Sequence, residues 1–218
     1  MKKIIIYLLV VSILLTGCLS KASVPSSRSR GVSKGAAKIT EYAPPEPELE
    51  PLGITLDTFK ENFNRGIKRV VFADYQLYDL SVTAGEKYDY FEYAFPNQET
   101  LKGTVDKDGQ LMLVEFSYPS FFDDKDLLFA RTMGMASCIL SFWISGNKSL
   151  ITTNQIEEIL TQLHIIQYNE EKQRRYEQGE ELAAIFKGIN YSKQLDENKE
   201  FSIFRAIKAN ADEPDTVE

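Results

Sequence analysis

A chain of 218 residues, 43% hydrophobic and 26% charged, has material for one globular core with appendages. The formal net charge is −7, and the acidity is concentrated downstream: seven of the 25 basic residues but only four of the 32 acidic ones precede position 53. The remainder carries 18 basic against 28 acidic side chains, a balance of about −10 that repels phosphate backbones and sets nucleic-acid binding aside.

The chain opens on Met1-Lys2-Lys3, and residues 4–15 form an apolar run broken only by Tyr7 and Ser12. About twelve apolar residues behind a basic start have the layout of a secretory signal and are too few for a comfortable permanent span. The run ends in Leu15-Thr16-Gly17-Cys18, which resembles the lipobox of bacterial lipoproteins: a branched residue, a small residue and a glycine ahead of a cysteine. The resemblance covers the leader alone. It implies that residues 1–17 are removed, that diacylglycerol is attached to the Cys18 thiol, and that the new amino group is often acylated too. Several acyl chains on one residue make a stable anchor, because each buried methylene contributes about 0.8 kcal/mol and a single chain holds only marginally. Leu19 follows the cysteine, where lipoproteins retained at an inner membrane often carry Asp, so the outer membrane, facing the periplasm, is expected if the source has two membranes.

Residues 18–52 read as a tether. Ser, Ala, Gly and Lys dominate as far as Lys38, and Ala43-Pro44-Pro45-Glu46-Pro47-Glu48-Leu49-Glu50-Pro51 then reads as an extended, stiffer spacer. Lys21, Arg28, Arg30, Lys34 and Lys38 have no acidic companion before Glu41. They either lean on anionic lipid or keep the spacer soluble.

A single α+β domain is expected over 53–210. Thr55 is placed to cap a first helix, Ile54 and Phe59 to staple it, and Leu56, Phe59, Phe63 and Ile67 form its buried stripe. Segments 76–83, 88–95, 100–105 and 111–118 are rich in β-branched and aromatic residues and separated by turn residues, which predicts an antiparallel meander of four strands. A long apolar segment, 127–144, reads as a buried helix because Arg131 interrupts it. Helices over 154–163, with Thr152 and Gln155 in capping-box spacing, and over about 170–186 follow. Segments 188–195 and 201–207 close the domain as a hairpin around Asp196-Glu197-Asn198, and an acidic tail, 211–218, is expected to fray.

The chemistry is sparse. His164 is the one histidine, so every Ser-His-Asp, Cys-His or histidine-rich metal scheme would have to pass through it, and Leu163-His164-Ile165-Ile166 is an apolar setting for a structural residue. Cys138, in the long apolar segment, reads as a small core residue. Asp106, Asp108, Gly109 and Glu115 match four positions of a calcium loop, but Thr104 replaces its leading Asp and the flanks read as strands, so an Asp-Gly hairpin turn explains the same residues. Asp123-Asp124 reads as a solvated helix cap rather than an acid/base pair. No catalytic residue, metal ligand or cofactor is assigned.

Aromatic residues crowd the meander: Tyr75, Tyr78, Tyr88, Tyr90, Phe91, Tyr93, Phe95, Phe116, Tyr118, Phe121 and Phe122. Strand alternation forbids all of them from entering one core, which makes Tyr88, Tyr90 and Tyr93 a candidate contact surface for an envelope protein or glycan. The expectation is a noncatalytic binding or envelope-assembly module held to a membrane through Cys18. The alternatives are an envelope hydrolase working with carboxylates alone and an exclusion or immunity lipoprotein.

Overall fold

The computed structural model describes residues 48–68, 75–95, 98–120, 125–146 and 148–217, all within one compact unit, Glu46–Glu218. Cys18, the signal segment and the tether through residue 47 lie outside the described residues, as do Phe121, Phe122, Asp123 and Asp124.

The fold is α+β. Helix α1 (Leu56–Lys68) leads into strands β1 (Ser81–Thr83), β2 (Asp89–Ala94), β3 (Thr100–Val105) and β4 (Leu111–Pro119). Helix α2 (Lys125–Ser141), a two-stranded ribbon of β5 (Ile144–Ser145) and β6 (Lys148–Ser149), and helices α3 (Thr153–Gln162) and α4 (Glu170–Glu177) follow. Strands β7 (Leu182–Phe186), β8 (Ile189–Leu195) and β9 (Phe201–Lys208) close the chain. Seven strands make one antiparallel sheet in the order β1-β2-β3-β4-β9-β8-β7, so two meanders join where β4 meets β9. The expected four-strand meander and closing hairpin are both present.

Period-two alternation sorts the side chains of this sheet. Phe91, Leu101, Val114, Phe116, Phe204, Ala206, Tyr191, Leu182 and Ala184 face one side, where they form the core with Phe59, Phe63 and Ile67 of α1, Met135, Cys138 and Ile139 of α2, and Ile159 and Leu160 of α3. Gly103 is required in mid-strand, because a Cβ there would meet the Leu113 carbonyl oxygen and the Phe91 ring at 2.3 Å.

Helix ends follow from local chemistry. Thr55 Oγ1 accepts the Thr58 N–H at 3.2 Å, and Thr152 and Gln155 form the expected capping box. The expected helix over 170–186 stops at Glu177. Gly179, at φ +89°, lets the N–H groups of Gly179 and Glu180 bond the carbonyls of Tyr176 and Arg175, a Schellman stop that releases the chain into β7. Among the described residues no helix is long and apolar enough to cross a membrane.

Two expected boundaries move. Leu52 is buried and its N–H bonds the Leu111 carbonyl at 2.8 Å, while Leu49 N–H donates to Tyr88 Oη at 3.2 Å, so the folded unit begins before position 53. The acidic end, expected to fray from Ala211, is anchored at Thr216 and Val217. Thr216 N–H donates to the Ile185 carbonyl at 2.8 Å, Thr216 Oγ1 accepts the Ile185 N–H at 2.9 Å, and Val217 is buried. The tail thereby satisfies backbone groups on the β7 edge.

Candidate functional site

The side of the sheet away from the helices carries two rows of side chains running across the strands. In the first, Tyr90, Thr104, Leu113 and Ile207 stand opposite one another on β2, β3, β4 and β9. In the second, one step along, Glu92, Lys102, Glu115 and Arg205 do the same. Charge alternates along this second row. Lys102 Nζ lies 3.3 Å from Glu92 Oε1, and Arg205 Nε and Nη2 both reach Glu115 Oε1, at 2.8 and 2.7 Å. Each carboxylate has its own cation, so the row is internally neutral.

Two concavities lie over these rows. The larger, about 580 Å³, is bordered by Glu48, Glu50, Tyr88 and residues 208–211 and has Leu113 and Ile207 in its lining. The smaller, about 370 Å³, extends the hollow to Ser81 and Thr83 of β1, and the two share Tyr90, Thr104, Leu113 and Glu115. Together they form one groove across five strands, roughly 19 Å at the usual spacing of 4.7–4.9 Å between strands.

Tyr90 is held in this groove by the turn before β2. A Cβ on Gly85 would come within 2.6 Å of Tyr90 Cε2, so the ring lies directly against a residue that can only be glycine, while Tyr90 stays 39% exposed. Lys107 clamps the same turn, donating to the Gly85 carbonyl at 2.7 Å and to Asp89 Oδ1 at 2.5 Å. The Lys107 hydrogen bond, helped by the Gly85 N–H, holds the Asp89 carboxyl below its ordinary value.

The three tyrosines read as one surface are divided by the fold. Tyr90 stands in the groove. Tyr88 borders it but is buried, its hydroxyl taken by the Leu49 N–H. Tyr93 points to the opposite face, packs edge-on against Phe95 at 5.0 Å and donates its hydroxyl to the Gln76 carbonyl. Alternation places Tyr93 three residues from Tyr90 and therefore across the sheet, so Tyr93 does not share the groove with Tyr90.

The remaining sequence candidates have structural employment. His164 occupies the left-handed position after α3, at φ +54°; its N–H and that of Ile165 bond the Thr161 and Leu160 carbonyls in a second Schellman stop, and Nε2 meets Gln173 Oε1 at 3.0 Å. Cys138 is fully enclosed, and burial pushes its thiol well up, away from thiolate reactivity. Asp106 Oδ1 accepts the N–H groups of Asp108 and Gln110 at 2.9 and 2.8 Å and Gly109 takes φ +76°, the geometry of the Asp-Gly turn, while Glu115 is engaged by Arg205 in mid-strand.

Sequence reasoning passed over Glu92, Lys102 and Arg205, and met Glu115 only as part of a calcium pattern. Their signal was charged residues at the polar positions of four alternating strands. Lys193 was also passed over: it lies on the core face, its ammonium 4.3 Å from the centre of the Tyr176 ring and 3.3 Å from the His164 carbonyl, and burial pushes it down to about 8. No protein-family model, curated protein or solved structure matches this chain.

Proposed function

We propose that this protein is a noncatalytic binding module, exported and tethered to a bacterial membrane by lipid on Cys18, that engages its partner through the grooved face of its sheet. The observation that carries the reading is the groove itself. One side of the sheet is committed to the core, while the other presents an exposed tyrosine, two aliphatic side chains and a neutralised charge row in a hollow of ligand size. The leader supports the tether, since Leu15-Thr16-Gly17-Cys18 follows a basic, apolar start at lipobox distance.

The test is site-specific photocrosslinking in intact cells. A benzophenone amino acid at Lys102, in the groove, should yield a discrete adduct on irradiation, and the same residue at Glu158, exposed on α3, should not. Equal labelling from both positions, or none from Lys102, contradicts binding through this face.

A further inference from the structure

We propose that the grooved face docks a second copy of this chain, the two sheets meeting face to face about a two-fold axis that runs parallel to the strands, between β3 and β4. This inference rests on the binding-module reading and names its partner. The order of charge carries it. Glu92, Lys102, Glu115 and Arg205 alternate in sign across β2, β3, β4 and β9. A two-fold pair lays one patch on its own copy. With the axis along the strands, the order of the row reverses, so Glu92 meets Arg205 of the second copy and Lys102 meets its Glu115. All four positions then face opposite charge. An axis laid along the row would keep the order and set like on like, so the pattern selects the orientation together with the partner.

The ion pairs within each copy need not break. Both Arg205 contacts converge on Glu115 Oε1, which leaves Oε2 for the second copy's Lys102, and the Lys102 ammonium has donors beyond the one that Glu92 takes. Charges outside the row follow the same rotation. Glu48 stands at the start of β2, 3.8 Å from Lys87, and Glu50 follows it past Leu49, whose N–H is on Tyr88 Oη. Against this corner the rotation sets the end of β9, where Lys208 lines the same hollow as Glu48 and Glu50. Beside the charged row, Leu113 comes over Thr104 and Ile207 over β2 of the second copy, which covers aliphatic surface. An unrelated partner would need a matching arrangement of its own; a second copy carries the complement by symmetry. Five strands and six residues along β2 give a footprint of roughly 19 by 20 Å. That is small beside the roughly 800 Å² per partner of a standard interface, so association in the micromolar range is expected and dilute protein is monomeric.

The experiment is sedimentation equilibrium of the full-length protein in density-matched detergent, over a concentration series through the micromolar range. Wild type should show a monomer–dimer equilibrium that weakens as salt rises. Glu92→Lys and Arg205→Glu should each weaken it about tenfold or more, because each sets like charges face to face twice in its own dimer. An equimolar mixture of the two variants should recover a dimer, since both Glu92–Arg205 contacts of the mixed pair again join opposite charges. Glu158→Lys, on the exposed side of α3, should change nothing. Melting curves confirm that each variant is folded, and if Arg205→Glu is not, the exposed Glu92→Lys against Glu158→Lys still decides. A wild type that stays monomeric throughout, or a dimer indifferent to Glu92→Lys, overturns the inference. In cells, the Lys102 adduct should have twice the mass of the chain. If Lys102 instead crosslinks to a different protein, the second copy is the wrong partner and the binding face stands; if Lys102 yields no adduct and the chain is monomeric, both fall.

Discussion

Arg131 of α2 donates Nε–H to Glu99 Oε1 at 2.6 Å, and both side chains are almost wholly enclosed. The pair joins the helix layer to the start of β3. Tyr75 donates its hydroxyl to Glu99 Oε2, Arg131 reaches the Pro119 carbonyl at 3.3 Å, and its guanidinium lies 5.4 Å from the centre of the Tyr118 ring. A buried ion pair offsets its desolvation only while every member is present.

Arg131→Met should therefore cost about 3–5 kcal/mol in urea unfolding at neutral pH, because it strands the Glu99 carboxylate in the core. The triple variant Arg131→Met, Glu99→Leu, Tyr75→Phe removes all three interacting groups and should recover most of that loss. If the triple variant is less stable than Arg131→Met alone, the network contributes more than mutual compensation.

Gly103→Ala should be among the most damaging single changes in the sheet. The new Cβ meets backbone and an enclosed ring at 2.3 Å, so β3 must move away from β4 or Phe91 must leave its place. A loss of about 3 kcal/mol or more is expected in the same unfolding assay, against a few tenths for Ala at exposed Glu158. A Gly103→Ala variant of wild-type stability would contradict the packing described for Phe91.

Lys193 gives stability a pH dependence with a definite sign. Its folded pKa, about 8, lies below the unfolded value of about 10.4, so between these limits the unfolded chain binds more protons and stability rises with pH. Below about pH 8 the lysine is charged in both states and the full cost of burying that charge is present. The span corresponds to about 3 kcal/mol at most, and the Tyr176 ring, which favours the charged form, trims it. Lys193→Met should raise the melting temperature at pH 7 and flatten the rise between pH 8 and 9.5, a window below the buried tyrosines, whose hydroxyls burial pushes up. A parallel pH profile in the variant would assign the rise to another group.

Thr216 tests the far edge of the sheet. Thr216→Ala deletes the side-chain bonds to Ile185 and Gln162 and should cost about 1–2 kcal/mol, and a stop after Asn210 should cost more and promote association through the uncovered β7 edge. Unchanged stability and a monomeric sedimentation profile for the truncated chain would show that the tail merely rests on the sheet.

The sequence made most of this fold legible where local pattern decides structure. Thr55 and Thr152 marked helix starts, and alternation in 88–95, 100–105 and 111–118 marked the meander. The β7 strand was hidden because α4 and Leu182–Phe186 together resemble one helical run, with Gly179 the single stop signal between them. The groove was hidden for a different reason. Tyr90 and Glu115 were visible as residues, but the row that neutralises Glu115 needs Arg205, 90 positions away, and only the β4 to β9 register brings them opposite each other. Alternation tells which side a residue takes; it does not tell which distant strand lies beside it.

The tether matters most to the proposed function, because a binding face displayed at a membrane is a different device from the same face free in solution. Mass spectrometry of the N-terminal peptide from detergent-extracted protein tests it directly. The peptide should begin at Cys18 and carry the mass of diacylglycerol, with or without a third acyl chain, and Cys18→Ser should block both the modification and the cleavage. An unmodified wild-type peptide that begins at another residue, recovered from protein released in soluble form, would contradict the lipid anchor and the display of the groove at a membrane.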